Sequence, residues 1–141
     1  MKKNYDQLKL KNQLCFPLYA ASREILRKYT PLLKRVNLTY TQYIVMMVMW
    51  EQKKLTVGEL GKLLYLDTGT LSPLLKTMEE KGLVTRSRDS ADERVVTVAI
   101  TPAGETLREQ AADIPAEMGK CINVSPDEAR VLYGILYKIL G

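Results

Sequence analysis

The sequence predicts a mainly α-helical protein with a small β-hairpin wing, and three observations predict it. Apolar residues recur at threes and fours over several long stretches, the period of amphipathic helices. Three capping boxes, Thr39–Gln42, Thr56–Glu59 and Ser125–Glu128, mark helix starts. Between them, Leu83–Arg86 and Val95–Ile100 are β-branched runs on either side of a polar tip, as in a hairpin. At 141 residues the chain holds one domain with a real core and not comfortably two. We therefore expect a single domain over 1–141, in which 39–101 is a winged helix-turn-helix and 1–36 and 102–141 supply flanking helices.

Composition narrows the chemistry. Hydrophobic content of 46% and charged content of 26% suit a globular protein. No apolar run approaches the ~20 residues that span a bilayer, so no membrane partner is expected. The start of the chain lacks the apolar core of a signal peptide, which predicts a cytoplasmic protein. The net charge of +5 favours a polyanionic partner. The absence of His removes imidazole metal sites, Ser–His hydrolysis and the commonest general base. Cys15 and Cys121 are too far apart in sequence for a zinc knuckle or a C-x-x-C pair, and no cofactor is implied.

Residues 8–29 carry the first stripe, Cys15, Leu18, Tyr19, Ser22, Leu26 and Tyr29. Pro17 lacks an N–H and opposes the carbonyl of Gln13, so the helix either kinks or starts there. A start there sets Cys15 beside a helix N-terminus, while a continuous helix sets Lys11 one turn before it; either neighbour favours a thiolate. Cys15 and Tyr29 face one way but lie roughly 20 Å apart along the axis. If the two act together, they belong to different subunits with these helices antiparallel. Thr30-Pro31 is expected to interrupt the helix, followed by a short apolar segment of Leu32, Leu33 and Val36. The next helix opens at Thr39, runs to about Gln52, and is apolar enough to be buried, with Tyr40 at its entrance.

The stretch 55–101 organises the rest. Thr56 caps a helix whose apolar face is Leu60, Leu63 and Leu64; Asp67, Thr68 and Gly69 then form a turn. A second helix turns Leu71, Leu74, Leu75 and Met78 inward and ends at Gly82. Its outward set is Thr68, Thr70 and Ser72, followed by the cation Lys76. The two β runs then flank a tip, residues 87–94, that ends in Asp92, Glu93 and Arg94. Short hydrogen-bonding groups ahead of a cation on one exposed face suit the edges of base pairs.

Thr101-Pro102 starts a helix through Leu107, Ala111, Ile114 and Met118, with a kink expected at Pro115. The last helix opens at Ser125-Pro126 and carries Ala129, Val131, Leu132, Ile135, Leu136 and Leu140. Apolar helices at both ends of a small winged domain suit a dimer interface.

The run Leu66–Val84, LDTGTLSPLLKTMEEKGLV, with Asp92, Glu93 and Arg94 at the tip, resembles the MarR-type transcriptional regulators over nearly the whole chain. The segment Asn12–Phe16, NQLCF, with Tyr19, Tyr29 and Tyr40, is similar to the OhrR-like organic hydroperoxide repressors of that family, although Pro17 departs from their pattern. The resemblance implies a homodimeric repressor on a roughly palindromic DNA operator, with an organic hydroperoxide as inducer. It implies that Cys15 is the residue oxidised, that Tyr29 and Tyr40 of the other subunit bond its thiolate, with a lesser part for Tyr19, and that Cys121 is a candidate for a disulfide with Cys15 across the dimer. On such a dimer Thr68, Thr70, Ser72 and Lys76 face a major groove, Arg94 oriented by Asp92 enters a minor groove, and Arg86 and Arg88 meet phosphates. Three other readings compete. One is a MarR-type repressor that answers a small aromatic ligand. Another is a thiol peroxidase using Cys15, against which the absence of His, of C-x-x-C and of a βαβ pattern argues. The third is a winged module that binds protein instead of DNA.

Overall fold

The computed structural model describes all 141 residues. Two 3₁₀ turns, Asp6–Leu8 and Leu10–Asn12, lead into α1 (Cys15–Lys34) and α2 (Tyr40–Gln52). Then come β1 (Lys54–Thr56), α3 (Val57–Leu64), α4 (Thr68–Glu80), β2 (Val84–Arg88) and β3 (Val96–Ile100). Helices α5 (Pro102–Ala111), α6 (Ile114–Cys121) and α7 (Pro126–Leu140) close the chain.

All three capping boxes form. In each, the cap hydroxyl accepts an N–H from the third helical residue, whose side chain accepts the cap N–H in return, at 3.0–3.3 Å. Thr101 caps α5 by accepting the Gly104 N–H at 3.0 Å, with Pro102 in the first turn, where its missing donor costs nothing. Asp67 caps α4, accepting the Thr70 N–H at 2.7 Å. That bond, backbone first, holds the Asp67 carboxyl below its ordinary value. Gly82, with φ of 75°, turns the chain out of α4 in the left-handed region that only glycine enters freely.

Several expectations are corrected. The β2–β3 hairpin forms as expected, but β1 adds a third strand, and the antiparallel order is β1-β3-β2, with Leu55 opposite Val98 and Arg86 opposite Val98 from the other side. A run of three residues before a helix cap is too short to show alternation. Thr30-Pro31 does not interrupt α1, which continues to Lys34. Proline leaves one carbonyl without its donor, the Thr30 hydroxyl bonds the Leu26 carbonyl at 3.3 Å, and burial of Leu33 and Val36 holds the last turns in place. At the other end, of the two alternatives at Pro17 the structure takes the start: α1 begins at Cys15 with Pro17 in its first turn, and the stretch before it forms 3₁₀ turns instead of α-helix. The helix from Pro102 does not kink at Pro115 but ends at Ala111, and Pro115 begins a new one in the first turn of α6. Leu63, expected inward, is exposed; α3 is only eight residues long, and Leu60 and Gly61 take its buried face.

One core holds these elements together. It joins Leu33, Val36 and Leu38 at the end of α1 to Val45, Met46 and Met49 of α2. Leu60, Leu71, Leu75 and Met78 of the two short helices, Val84 and Val98 of the sheet, and Ala111, Ile114 and Met118 of α5–α6 complete it. The expected flanks, 1–36 and 102–141, therefore both contribute to the winged unit's own core. By contrast α7 buries no residue, and α1 leaves Leu18, Tyr19 and Leu26 exposed.

Candidate functional site

The first constellation lies between α4 and the wing. Thr68 and Ser72 on α4 and Arg86, Arg88 and Arg94 on the wing line one cleft of ≈ 330 Å³, with Thr56 and Gly58 from the start of α3. Thr70 and Lys76 are exposed on α4 outside that lining. At the wing, Arg94 donates from Nε to Asp92 Oδ1 at 3.0 Å and from Nη2 to Oδ2 at 3.2 Å, while 91% of its side chain stays accessible. The guanidinium, and then the Arg94 N–H, hold the Asp92 carboxyl below its ordinary value. Arg88 donates to the Glu93 carbonyl at 2.7 Å and so ties the loop to its strand.

Arg86 departs from expectation. Its backbone N–H donates to Glu79 Oε2 at 3.1 Å and its Nη2 to Oε1 at 3.4 Å, and its Nε is buried without a partner. It braces β2 against the end of α4 and is less free than Arg88 to meet a phosphate.

The second constellation is aromatic. The Tyr29 and Tyr40 ring centroids are 4.9 Å apart, and Tyr43 lies 5.8 and 6.2 Å from them. Burial raises all three phenols above their ordinary value of 10.0, with Tyr40 adding to the effect on Tyr29, and Tyr29 and Tyr40 to that on Tyr43. At neutral pH they remain hydroxyl donors. Tyr43 belongs to no sequence motif, yet it follows Tyr40 by three residues on α2, a spacing that already puts both on one face. Tyr19 stands apart: its hydroxyl accepts from Arg23 Nη1 at 3.3 Å, and the Arg23 guanidinium sits 5.6 Å from its ring centre.

Cys15 is exposed at the first residue of α1, at the positive end of the helix dipole. Leu14 before it offers no side-chain cap, so the free amides of the first turn face that end. Cys121 is exposed at the last residue of α6. Arg35 at the end of α1 holds α6, through Asp113 at 3.3 Å and Glu117 at 3.2 Å. Thirteen helical residues lie between Cys15 and Tyr29, so the two do not meet within one protomer.

A capped helix presenting short polar groups, set beside a three-stranded wing with an accessible arginine at its tip, defines a winged helix-turn-helix DNA-binding protein. Comparison with known proteins agrees. Residues 27–114 match the family model for the transcriptional regulator SarA/Rot. An organic hydroperoxide resistance transcriptional regulator of Bacillus subtilis is 46% identical over 140 residues, 99% of this chain and 95% of that protein. AbfR of Staphylococcus epidermidis has been solved in several states. Its reduced form bound to DNA is 32% identical, covers 96% of this chain and 95% of that one, and superposes with a TM-score of 0.78. Its overoxidised form, also bound to DNA, gives 33% identity, 96% and 95% coverage and a TM-score of 0.77. Its disulfide form gives 32% identity, 96% coverage of both chains and a lower TM-score, 0.67. The chain belongs to the MarR family of winged-helix transcriptional regulators, in the branch of the organic hydroperoxide regulators.

Proposed function

We propose that this protein is a dimeric repressor that releases its operator when an organic hydroperoxide oxidises Cys15. The observation that carries the reading is the division of the site. An exposed thiol at the start of α1 and a half-buried tyrosine cluster at the other end of that helix are separated within one protomer, and a two-fold partner with antiparallel α1 brings one chain's thiol to the other's tyrosines. Helix α7, with no residue buried in the protomer, supplies an apolar surface for that partner.

Reduced, the dimer sets two copies of α4 in successive major grooves, ~34 Å apart. Thr68, Thr70, Ser72 and Lys76 face the bases, and Arg94, held by Asp92, enters the minor groove. Arg88 meets phosphate, and Arg86 supports the strand that carries it. On encounter with a hydroperoxide, the Cys15 thiolate attacks the distal peroxide oxygen, the O–O bond breaks, and the departing alkoxide takes a proton to leave as an alcohol. Cys15 is then a sulfenic acid, and Tyr29 and Tyr40 of the partner lose the anion to which they donate. The hollow of ≈ 280 Å³ beside Tyr40, walled by Leu26, Leu33 and Leu38, suits the organic part of the peroxide.

The partner's Cys121 thiolate completes the switch by attacking the sulfenic sulfur; hydroxide leaves and takes up a proton as water, and a disulfide forms. AbfR binds DNA in its overoxidised form, which favours the disulfide over higher oxidation as the releasing species. Because Cys121 ends α6, and Arg35 ties α6 to α1, such a bond pulls on the helix that carries Tyr29.

The test is operator binding and non-reducing electrophoresis before and after stoichiometric organic hydroperoxide. A dimer-sized band, absent in Cys15→Ser and in Cys121→Ser and accompanied by DNA release, is expected. DNA release by Cys15→Ser under peroxide overturns the reading, and a response that survives thiol alkylation points to a small ligand as the trigger.

A further inference from the structure

Gln42 is the one polar side chain buried in the core, only 4% exposed. Its Oε1 has two donors. One is the Thr39 N–H, at 3.1 Å, which closes the capping box at the start of α2. The other is the Lys81 ammonium, at 3.0 Å, from a residue 39 positions away. The same ammonium donates to the Asn37 carbonyl at 2.6 Å. Asn37 forms the corner between α1 and α2, with φ of 54°, a left-handed conformation that asparagine tolerates better than most residues.

Lys81 is the cap residue at the end of α4, and its own N–H donates to the Thr77 carbonyl at 3.0 Å. A single cation thus joins the C-terminal end of the DNA-reading helix to two acceptors on the α1–α2 corner. That corner carries the tyrosine cluster: Tyr40 is the first residue of α2, and Tyr43 follows Gln42 directly. The core that α2 and α4 share is otherwise apolar, with Met46 from the one and Leu71, Leu75 and Met78 from the other among its members. Apolar contacts set distance but tolerate sliding, whereas a charge-assisted hydrogen bond fixes direction.

We propose that Lys81 is the positioning residue through which movement of the Tyr29–Tyr40–Tyr43 cluster is passed to α4. This rests on the redox reading above and adds the route by which it acts. When the cluster loses its thiolate and the α1–α2 corner shifts, the ammonium carries the end of α4 with it, and the helix leaves its groove. Without Lys81 the corner moves while α4 slides on its apolar contacts and keeps its place on DNA.

The experiment compares operator affinity of reduced and hydroperoxide-oxidised dimers for the wild type, Lys81→Met, Lys81→Gln and Lys81→Arg, and follows Cys15 oxidation by trapping the sulfenic acid. Lys81→Met keeps the stem and removes the cation, Lys81→Gln stops short of Asn37, and Lys81→Arg retains donors for both acceptors. The Met and Gln variants are expected to oxidise Cys15 at the wild-type rate and to bind operator normally when reduced. The affinity they lose on oxidation should be smaller than the wild type's by about fivefold or more, the low end of allosteric couplings. Lys81→Arg is expected to restore most of that loss, which a merely destabilised α4 would not do. Equal loss of affinity on oxidation in the Met variant and the wild type, or identical behaviour of the Met and Arg variants, overturns the proposal and leaves the redox reading standing. A wild type that holds its operator after Cys15 is oxidised overturns the redox reading, and the role of Lys81 with it.

Discussion

At the scale of single residues, Arg94 and the tyrosines carry the clearest consequences. Arg94 is paired with Asp92 in two-point geometry and yet almost wholly accessible. It is aimed by its own strand connection and free to enter a groove. Arg94→Ala should weaken operator binding by about 1–3 kcal/mol and relax any preference for A·T-rich flanks, as measured by titration of operators with altered flanks. Unchanged affinity would remove the wing from the interface. Tyr29 and Tyr40 have phenols raised by burial above 10.0. Because the folded-state value is the higher one, the stability they contribute is full below the unfolded value near pH 10 and is lost as pH rises through the folded one. Tyr29→Phe and Tyr40→Phe should therefore flatten the fall in denaturation midpoint above about pH 10. They should also slow peroxide oxidation of Cys15 while leaving DNA binding by the reduced protein nearly intact.

At the scale of elements, local chemistry and packing divide the work. The starts of α2, α3, α5 and α7 were legible because each needs only a cap residue and a partner three residues on. Where packing overrules local preference, the reading failed. Pro31 sits inside α1 because the residues that follow it are buried, and β1 forms because β3 offers an edge next to Leu55. The junction of α5 with the wing is the tightest of these contacts. A Cβ on Gly104 would meet the Leu83 carbonyl oxygen at 2.4 Å and Ile100 Cγ1 at 2.8 Å, and the Gly104 carbonyl accepts the Trp50 indole N–H at 2.8 Å. Neither the backbone of Leu83 nor that bond can yield cheaply. Gly104→Ala should cost about 1–3 kcal/mol of stability, the usual range for overpacking, in a chemical denaturation curve. A smaller effect would mean that α5 moves freely against the sheet.

At the scale of the whole molecule, α7 is the helix that the protomer leaves without a buried residue, and it is the surface on which the proposed dimer is tested. Val131, Leu132, Ile135, Ile139 and Leu140 are all exposed in the protomer, an apolar surface that a lone chain would not present to water over a whole helix. Ile135→Glu buries a charge in any interface built there. It should weaken self-association by about tenfold or more, read by sedimentation. Operator affinity should fall with it, because a monomer reaches only one half-site. A variant that remains dimeric with normal DNA binding would move the interface elsewhere. No helix is long and apolar enough to cross a membrane, so α7's apolar face does not mark a transmembrane segment.

The sequence by itself determined the parts that depend on neighbours along the chain. These are the caps, the left-handed exit at Gly82, and the alternation of polar and apolar faces on α4; the turn expected over Asp67–Gly69 falls instead at Tyr65–Asp67, because Asp67 caps α4 and the helix already begins at Thr68. From those parts follow the fold class and the residues that α4 and the wing present. Tertiary structure alone decided which groups separated in sequence come together: the seating of β1 on β3, the engagement of Arg86 by Glu79, the joining of Tyr43 to Tyr29 and Tyr40, and the reach of Lys81 to Gln42 and Asn37. The physical reason is range. A capping bond closes over three residues and is written in their order, whereas a contact across 40 residues depends on how the core orients whole helices, and no short pattern encodes that.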